Sequence, residues 1–547
     1  SNTSLVYIYI YKDSIDLSYH LMMMRGLILI ISIVSCASTA LDEYVWAADD
    51  NYAWVDLGEE HILHGRNAKG DKTWTGYTLN VTSQRWLTDD DFSPESDCKS
   101  IWWHILVVIV PDNVVWTRNA SLWVTGWSNT SPLPQATDED VLLAAELAMG
   151  TGMIMGSLFQ IPNEHIIFSS DPIQKSRSED AIIAFTWDHF LNDPSQPEWL
   201  LRFPMVKATL RAMDAMTEFA AKKFPEEDYR LDYYGVCGAS KRGWTTWDVG
   251  AVDPDRVMAI VPIVLDAINF VSVEHHEWRS YGGWSWALKD YYEMNLTARF
   301  DDPNMVLLQE NVDPFFYKDR LTMPKLVVNA VLDEFQQPDD THYWWSDMPG
   351  PKHFLMTPNA EHSEITGIFE IVPAIGTYLT YLLYGATVPT FTWDISEADG
   401  TITATLDGEG EVYEASMWYA YSCGTNSDGV IRRDFRILSM DDPCHCGIGY
   451  DGYCANLKSF WTREILEPQV TEDGTRVYKA RMDAPDDGRY VAFFIDVKYK
   501  DPREGLKGDV LPKDMPGMLE FTTEVSVWPN TFPYEDCVGT ECYGTLL

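Results

Sequence analysis

Basic residues are scarce in this chain. Lys and Arg number 40 against 83 Asp and Glu among 547 residues, so the formal net charge is −43. Phosphate backbones and anionic lipids are bound by clustered Lys and Arg, and the deficit therefore argues against a nucleic-acid partner. Disorder often accompanies such charge, but 22 Trp, 28 Tyr and 22 Phe supply ample apolar surface for a core. The length allows more than one domain.

Long apolar runs are also rare, and the one near the N-terminus resembles a secretory signal. In "MMMRGLILIISIVSCASTA" a basic residue precedes a short apolar run, which ends in small residues. The run is short for a stable membrane span, and two acidic residues follow it. We therefore expect a possible untranslated leader over residues 1–21 and a signal peptide over 22–40, cleaved after Ala40. An N-terminal membrane anchor is the alternative.

In an exported protein, two further features of the sequence are informative: Asn-x-Ser/Thr sequences and cysteines. Four Asn-x-Ser/Thr sequences are candidate glycosylation sites, and they begin at Asn80, Asn119, Asn129 and Asn295. Only 9 Cys occur, of which Cys36 lies in the predicted signal. Six of the rest crowd the last quarter of the chain, where an oxidising compartment favours disulfides of undetermined connectivity.

Neither a metal nor an organic cofactor is expected. The C-x-C spacing in "DPCHCGIGYDGYC" differs from that of the usual zinc knuckle. The adjacent His275 and His276 would point apart on a helix, so they do not form an obvious metal pair.

The order of segments indicates an α/β fold followed by a β domain. Strands that are apolar throughout alternate with helical patterns up to residue 387, which predicts a mostly parallel sheet covered by helices on both faces. This domain, 41–387, would include N-terminal strands and a cap insertion. From 388 to 547, short alternating strands separated by Gly and Asp turns predict a disulfide-containing β-sandwich.

Three polar residues each follow a predicted strand of the first domain. Ser240 lies in "YYGVCGASKRGW", between an apolar strand and a helix, as a nucleophile on a sharp turn would. Asp333 ends the strand "KLVVNAVL", and His362 lies in the loop after "KHFLMTP". The order Ser, acid, His is that of α/β-hydrolases, so we predict a catalytic triad. Taken alone, each residue is equally compatible with an ordinary turn or cap.

The surroundings of Ser240 suggest further roles. The backbone N–H of Lys241 would form one half of an oxyanion hole, and Gly126 or Trp127 in the loop "VTGWSN" the other half. A plain glycine turn explains that loop equally well. Arg242 occupies the position of the second glycine in G-x-S-x-G, and Gly243 follows one residue later. Arg242 would form a structural ion pair or bind an acidic group of the substrate.

Several segments together resemble the PhoPQ-activated pathogenicity-related proteins, a family that includes autocrine proliferation repressors. The resemblance rests on "GASKRGWTTW", "LDEFQQPDD", "PNAEHS" and "TTEVSVWPNTFPY", and on the long helical stretch around "FPMVKATLRAMDAMTEF". It implies an α/β-hydrolase core with an appended sandwich, and places nucleophile, acid and base on Ser240, Asp333 and His362. Leu332 departs from the small residue expected before the acid.

Two functions therefore remain open at the level of sequence. The first is a secreted, extracellular serine hydrolase that cleaves a small ester or a peptide. The second is a secreted signalling or binding protein that acts through a cell-surface receptor and for which catalysis is dispensable.

Overall fold

The computed structural model describes residues 38–547, apart from 68–69, 407, 409, 442 and 501–518. The predicted leader and nearly all of the predicted signal peptide lie outside these residues. Thr39–Leu547 form one compact unit. Thr39 caps the first helix, because its side chain accepts the N–H of Asp42 at 3.2 Å. The last two residues of the predicted signal thus belong to a folded element, and cleavage after Ala40 stays a prediction.

A large mixed sheet forms the centre of the first part of the chain. Its strands are β1 (Ala53–Asp56), β2 (Leu63–Arg66), β3 (Thr73–Arg85), β4 (Ile101–Pro111), β5 (Asn119–Val124), β6 (Ile154–Leu158), β7 (Tyr233–Ala239), β8 (Val257–Ile263), β9 (Lys325–Ala330) and β10 (Lys352–Thr357).

The strand order is that of an α/β-hydrolase. Neighbours run β1-β3-β4-β6-β5-β7-β8-β9-β10, with β2 also paired to β3. The strands from β5 onward are parallel to one another, whereas β4 is antiparallel to both β3 and β6. β4 is apolar along most of its length because the sheet is covered on both faces, whatever the strand direction. The predicted fold class is confirmed.

Helices cover both faces of this sheet. They are α1 (Ala40–Trp46), α2 (Glu139–Thr151), α3 (Glu179–Asn192), α4 (Arg202–Lys223), α5 (Lys241–Val252), α6 (Phe270–Tyr281), α7 (Lys289–Glu293), α8 (Pro303–Val312) and α9 (Ile368–Leu383). α4 and α5 contact each other and the sheet, while α2 and α9 pack together elsewhere on it. Two hydrophobic cores result, one with α1, α3, α4 and α5 and the other with α2 and α9.

The cap is the insertion of residues 264–324 between β8 and β9, and it contains α6, α7 and α8. Parallel strands direct their connections to one edge of the sheet, so an insertion after β8 lies beside the carboxyl ends of its neighbours. This position brings cap residues next to Ser240.

Short antiparallel strands follow α9, as predicted. They are β11 (Thr392–Ile395), β12 (Ile402–Leu406), β13 (Val412–Tyr421), β14 (Leu438–Ser439), β15 (Ile448–Tyr450), β16 (Tyr453–Ala455), β17 (Thr462–Ile465), β18 (Gln469–Val470), β19 (Arg476–Ala480), β20 (Val491–Tyr499), β21 (Leu519–Thr522) and β22 (Ser526–Trp528).

These strands form separate sheets that pack against the hydrolase core. One sheet has the order β11-β12-β19-β18, and another has β17-β13-β20-β21 with β22 also on β20. The side chain of Thr522 in β21 accepts the N–H of Met356 in β10 at 2.9 Å. The rings of Phe521 and His353 lie 4.4 Å apart. The β domain thus borders the last strand of the large sheet.

Disulfides join six of the cysteines, which agrees with the expectation for this region. The pairs are Cys423–Cys446, Cys444–Cys454 and Cys537–Cys542. Cys98 and Cys237 are buried thiols.

The last residues return to the cap. We call residues 529–547 the C-terminal strap. The backbone of Trp284 in the cap donates to Thr545 at 2.9 Å and accepts from Leu547 at 2.7 Å. Tyr292 stacks on Tyr543 with ring centroids 4.6 Å apart. The strap therefore holds the cap from its outer side.

Candidate active site

Ser240 lies at the sharp turn between β7 and α5. Its φ of 56° and ψ of −127° fall in a region that non-glycine residues rarely adopt. Such a conformation costs about 1–3 kcal/mol and persists only where the surroundings enforce it. Here the Ser240 N–H donates to the carbonyl of Ile263 at 2.8 Å, which ties the turn to the end of β8. The turn exposes the hydroxyl beyond the sheet edge, as a nucleophile elbow does.

Two glycines allow this turn to pack closely. A Cβ on Gly238 would lie 2.7 Å from the carbonyl oxygen of Arg242. A Cβ on Gly243 would lie 2.7 Å from the carbonyl oxygen of Ile263. The second close approach occurs one residue later than in the G-x-S-x-G pattern. This explains why Arg242 is tolerated where that pattern has glycine.

A continuous chain of hydrogen bonds links the three predicted triad residues. His362 Nε2 lies 2.8 Å from Ser240 Oγ, and His362 Nδ1 lies 2.8 Å from Asp333 Oδ2. The other carboxylate oxygen of Asp333 accepts the N–H of Phe335 at 2.7 Å. Asp333 is only 2% exposed, so its orientation is held by these contacts. The tautomer that satisfies both bonds carries its proton on Nδ1 and leaves Nε2 to accept from the serine.

The electrostatics of this chain favour a basic imidazole. Burial of His362 opposes the charged ring, but the neighbouring Asp333 outweighs it and raises the pKa above the usual value for histidine. Glu334 lies close by, and its Oε2 accepts the backbone N–H of His362 at 3.2 Å. Burial, with a further contribution from Asp333, raises the pKa of Glu334 to about 7.

Ser240 and His362 border a cavity that is partly open to solvent. Its wall combines the sheet edge, α3 and the inner side of the cap. Most of this wall is apolar or aromatic, and it includes Ile183, Trp187, Trp244, Leu265, Ala267, Phe270, Leu288, Phe300 and Phe335. A concave apolar site with a few polar groups is typical of small-molecule binding.

The side chains of Lys241 and Arg242 are occupied by carboxylates of α3. Lys241 Nζ lies 3.1 Å from both Glu179 and Asp180, and Arg242 pairs with Glu179. Burial alone would lower the pKa of Lys241, but Asp180 and Glu179 raise it. Arg242 thus forms an ion pair, which was one of the two roles considered for it from the sequence. The positive charge of Lys241 is balanced by the carboxylates of Glu179 and Asp180.

The predicted second half of the oxyanion hole lies beside this ion-pair cluster. A Cβ on Gly126 would be 2.6 Å from the Arg242 guanidinium, so glycine leaves room for that side chain. The Trp127 ring packs on Phe159 with centroids 5.1 Å apart. Neither residue is among those that border the cavity, whereas Lys241 is. The oxyanion role of Gly126 or Trp127 stays a prediction.

Sequence comparison now identifies the family. The model of the PhoPQ-activated pathogenicity-related proteins matches residues 41–436. The chain belongs to this family. The match spans the large sheet, the cap and the first strands of the β domain, so the resemblance seen in the motifs extends over the structured core.

Other known proteins are similar in sequence or in architecture. Autocrine proliferation repressor protein A of Dictyostelium discoideum is 35% identical over 520 residues, covering 93% of this chain and 94% of that protein. Est1E from Butyrivibrio proteoclasticus is 13% identical and covers 53% of this chain and 98% of its own, with a TM-score of 0.33. Acetyl xylan esterase 1 from Thermoanaerobacterium sp. JW/SL YS485 is 15% identical and covers 63% of this chain and 93% of its own, with a TM-score of 0.35. These TM-scores are too low to establish the fold, so the fold assignment rests on the strand order of the large sheet.

One departure from the PhoPQ-related pattern has little effect on the site. Leu332 is buried, and its N–H donates to Ala360 at 2.9 Å while its carbonyl accepts from Ile437 at 3.2 Å. Asp333 still reaches His362. The bulky residue is buried in the hydrophobic core, and the contact between acid and base is retained.

Sequence reasoning missed the acidic residues around the cavity. Glu179 and Asp180 lie in the first turn of α3, where acids are common, and were not singled out. Glu274, on the cap, and Glu334, beside the predicted acid, were not singled out. The adjacency of Glu334 to Asp333 was the only available signal, because the other three come from distant segments.

The predicted glycosylation sites lie in different environments. Asn295 is exposed on the cap. Asn80 and Asn119 lie in β3 and β5 and are partly buried. The side-chain amide of Asn129 donates to the carbonyl of Trp103 at 3.0 Å, and its oxygen accepts the N–H of Glu164 at 3.1 Å, so both ends of this amide are engaged. Glycosylation stays a prediction at all four.

Among the described residues, one group resembles a metal site: His275, Cys537 and Cys542 lie close together. The two cysteines form a disulfide, so they provide no thiolate ligand. His276 points away from this group and lies 2.7 Å from Asp340. None of the helices in the described ranges has the length and apolar character needed to cross a bilayer.

Proposed function

We propose that this protein is a secreted serine hydrolase that transfers an acyl group from an ester or amide to water. The observation that carries the proposal is the hydrogen-bond chain from Ser240 through His362 to Asp333, with both links at 2.8 Å, on the wall of an apolar cavity. A nucleophile, a base and a group that orients the base are the requirements for acyl transfer by serine.

In the first half of the reaction, Ser240 Oγ attacks the substrate carbonyl carbon as His362 Nε2 takes the hydroxyl proton. The imidazolium is stabilised by Asp333. The tetrahedral intermediate then collapses, the bond to the leaving group breaks, and His362 returns the proton to that group. The product of this half is an acyl-enzyme and a free alcohol or amine.

Water completes the reaction. His362 takes a proton from the water as its oxygen attacks the acyl carbon, and the proton then passes to Ser240 Oγ as the carboxylic acid leaves. The N–H of Lys241 is one of the first donors of α5, which have no partner within a helix. It would stabilise the developing oxyanion, together with a second donor from Gly126 or Trp127.

A fluorophosphonate probe tests the nucleophile directly. The purified secreted protein should form an adduct that maps to Ser240. The adduct should disappear in Ser240→Ala and persist in Ser363→Ala, since Ser363 is exposed beside His362 but bonds to Glu361. A folded wild-type protein that gives no adduct would exclude an activated Ser240.

Secretion is supported by the disulfides and by the N-terminal signal pattern. Sequencing the N-terminus of protein recovered from the medium should give a start at Leu41. Retention of the full N-terminus on membranes would favour the anchor instead.

A second candidate function is signalling through a receptor. The observation that favours it is the 35% identity to the autocrine proliferation repressor over nearly the whole chain. Adding wild-type and Ser240→Ala proteins to proliferating cells separates the two functions. Equal repression by both would make catalysis dispensable for that effect, whereas loss in the variant would make hydrolysis its cause.

A further inference from the structure

The cavity beside Ser240 has an aromatic wall contributed by α3, α5 and the cap. Trp187 stacks on Phe270 with centroids 5.0 Å apart, and its ring meets Trp244 at 5.9 Å in an edge contact. Phe300 closes another part of the same cavity. Aromatic faces are electron-rich, so they attract cations that have lost part of their hydration.

One carboxyl group in this wall lacks a hydrogen-bond partner among the residues that the structure describes. Glu274 lies one turn after Phe270 on α6, so both side chains lie on the same side of the helix and border the cavity. Glu274 Oε2 is shielded from solvent and accepts no hydrogen bond. The other cavity carboxylate, Asp180, is bonded to Lys241 and to the hydroxyl of Tyr291. Glu274 is therefore the carboxyl that is available to a ligand.

The surroundings of Glu274 disfavour its charged form. Burial, and then the nearby Glu277, raise its pKa well above the usual value for glutamate. A buried carboxyl without a partner is costly, and a cation placed beside it would remove that cost. The net charge of −43 also favours the approach of cations over anions.

The same wall discriminates between kinds of cation. A primary ammonium group carries three N–H donors and needs several acceptors. Two further polar side chains of the lining are engaged, Thr297 with the carbonyl of Tyr543 and Gln336 with the N–H of Asp266, so the cavity offers one unpaired carboxyl among aromatic rings. An alkylated ammonium group has few or no N–H donors and is held by ring faces and a single anion.

We propose that the substrate carries an alkylated ammonium group, which binds between Glu274 and the aromatic wall formed by Trp187, Trp244, Phe270 and Phe300. The proposal rests on the hydrolase function, since it assigns a substrate class to the cavity of Ser240. It makes Glu274 a specificity-determining residue for that reaction.

Calorimetric titration with choline and its neutral isostere 3,3-dimethylbutan-1-ol tests the cation site without requiring turnover. The wild-type protein should bind choline at least about tenfold more tightly, the ratio that corresponds to the energy of a desolvated cation–aromatic contact. Glu274→Gln should reduce this preference, because the variant keeps the aromatic rings but loses the anion. Glu293→Gln is the matched control, because Glu293 lies on the cap but pairs with Lys175 at 3.0 Å.

Equal binding of the two alcohols, no binding of choline, or a preference that is as large in Glu274→Gln as in the wild type would each overturn the proposal. Fluorophosphonate labelling of the same samples separates the two claims. Labelling without choline preference leaves the hydrolase and removes the cation site. Choline preference without labelling retains the cation site and removes the hydrolase.

A kinetic readout extends the test to the reaction. The acetate ester of choline should have a higher kcat/KM than the acetate ester of the isostere, again by about tenfold or more. Glu274→Gln should lower kcat/KM for the choline ester more than for the neutral ester. An equal loss on both esters would show a structural role for Glu274.

Discussion

The sheet edge that carries Ser240 and the cap that covers it are built in different ways. At the sheet edge, Ser240, Asp333 and His362 each follow a strand by a few residues, and parallel pairing of β7, β8, β9 and β10 brings those strand ends together. The cap is held from outside by the C-terminal strap, more than 200 residues later in the chain. The chemistry thus depends on short loops, and the binding wall on contacts between distant segments.

Because of this difference, substitutions in the two regions should have different effects. A change at the sheet edge should alter the chemical step with little effect on the cap. A change where the strap meets the cap should alter substrate binding and local stability first, because Trp284 packs at 5.3 Å on Phe300, which borders the cavity. The following predictions test this separation.

Asp333→Asn should have the largest effect. The amide would favour the wrong tautomer of His362 and would not stabilise the imidazolium, so kcat should fall by roughly 10⁴. Thermal unfolding should change little, since an amide oxygen can still accept the N–H of Phe335. Glu334→Gln, which alters the adjacent carboxyl, is the control and should retain most of the activity. A variant at 333 with near wild-type kcat would exclude the triad.

The pH profile of kcat/KM should show an acid limb above about pH 6.5, the ordinary pKa of histidine. His362 must be neutral to accept the serine proton, and Asp333 raises its pKa. Activity should therefore rise with pH through that raised pKa, with about a tenfold loss for each pH unit below it. Asp333→Asn should move the residual limb to lower pH. A limb below pH 6 in the wild type would contradict this account.

Trp284→Ala should loosen the cap. The indole N–H donates to Cys542 at 2.8 Å and the ring is fully buried, so truncation should cost about 3–5 kcal/mol of stability. Hydrogen exchange should quicken in residues 264–324 and much less in β7 and α5, and KM should rise more than kcat falls. Trp54→Ala, on the edge strand β1, should leave KM unchanged. Uniform acceleration of exchange would show that cap and sheet edge unfold together.

Removal of the Cys537–Cys542 disulfide by two Ser substitutions should have the smallest effect. Its ends are five residues apart, so the loss should be below about 3 kcal/mol, the value for a 15-residue loop. The Cys423–Cys446 disulfide closes a longer loop in the β domain. Its removal by the same substitutions should lower Tm more but leave KM unchanged. If removal of Cys423–Cys446 changed KM more than removal of Cys537–Cys542, the conclusion that the strap supports the cap would be wrong.

Much of the sheet edge was predictable from the residues. Apolar strands followed by Ser240, Asp333 and His362 placed the triad because strand ends in a parallel sheet converge whatever lies between them. The helix after Ser240, the helix α4 and the change to short alternating strands after 387 were likewise readable from local periodicity.

The wall of the cavity could not be predicted in this way. Glu274, Trp187 and Phe300 come from three separate segments, and each alone has the pattern of an ordinary helix or core residue. The Gly126 loop shows the same limit, because its neighbour Arg242 and the carboxylates of α3 become visible only once the chain is folded.

The sequence by itself determined the fold class, the residues at the strand ends and the excess of negative charge, because these follow from local patterns and composition. Only the tertiary structure decided that the charges of Lys241 and Arg242 are neutralised, that Glu274 has no hydrogen-bond partner within the described ranges, and that the strap supports the cap. Ion pairing and burial depend on which distant segments come into contact, and local sequence patterns do not determine those contacts.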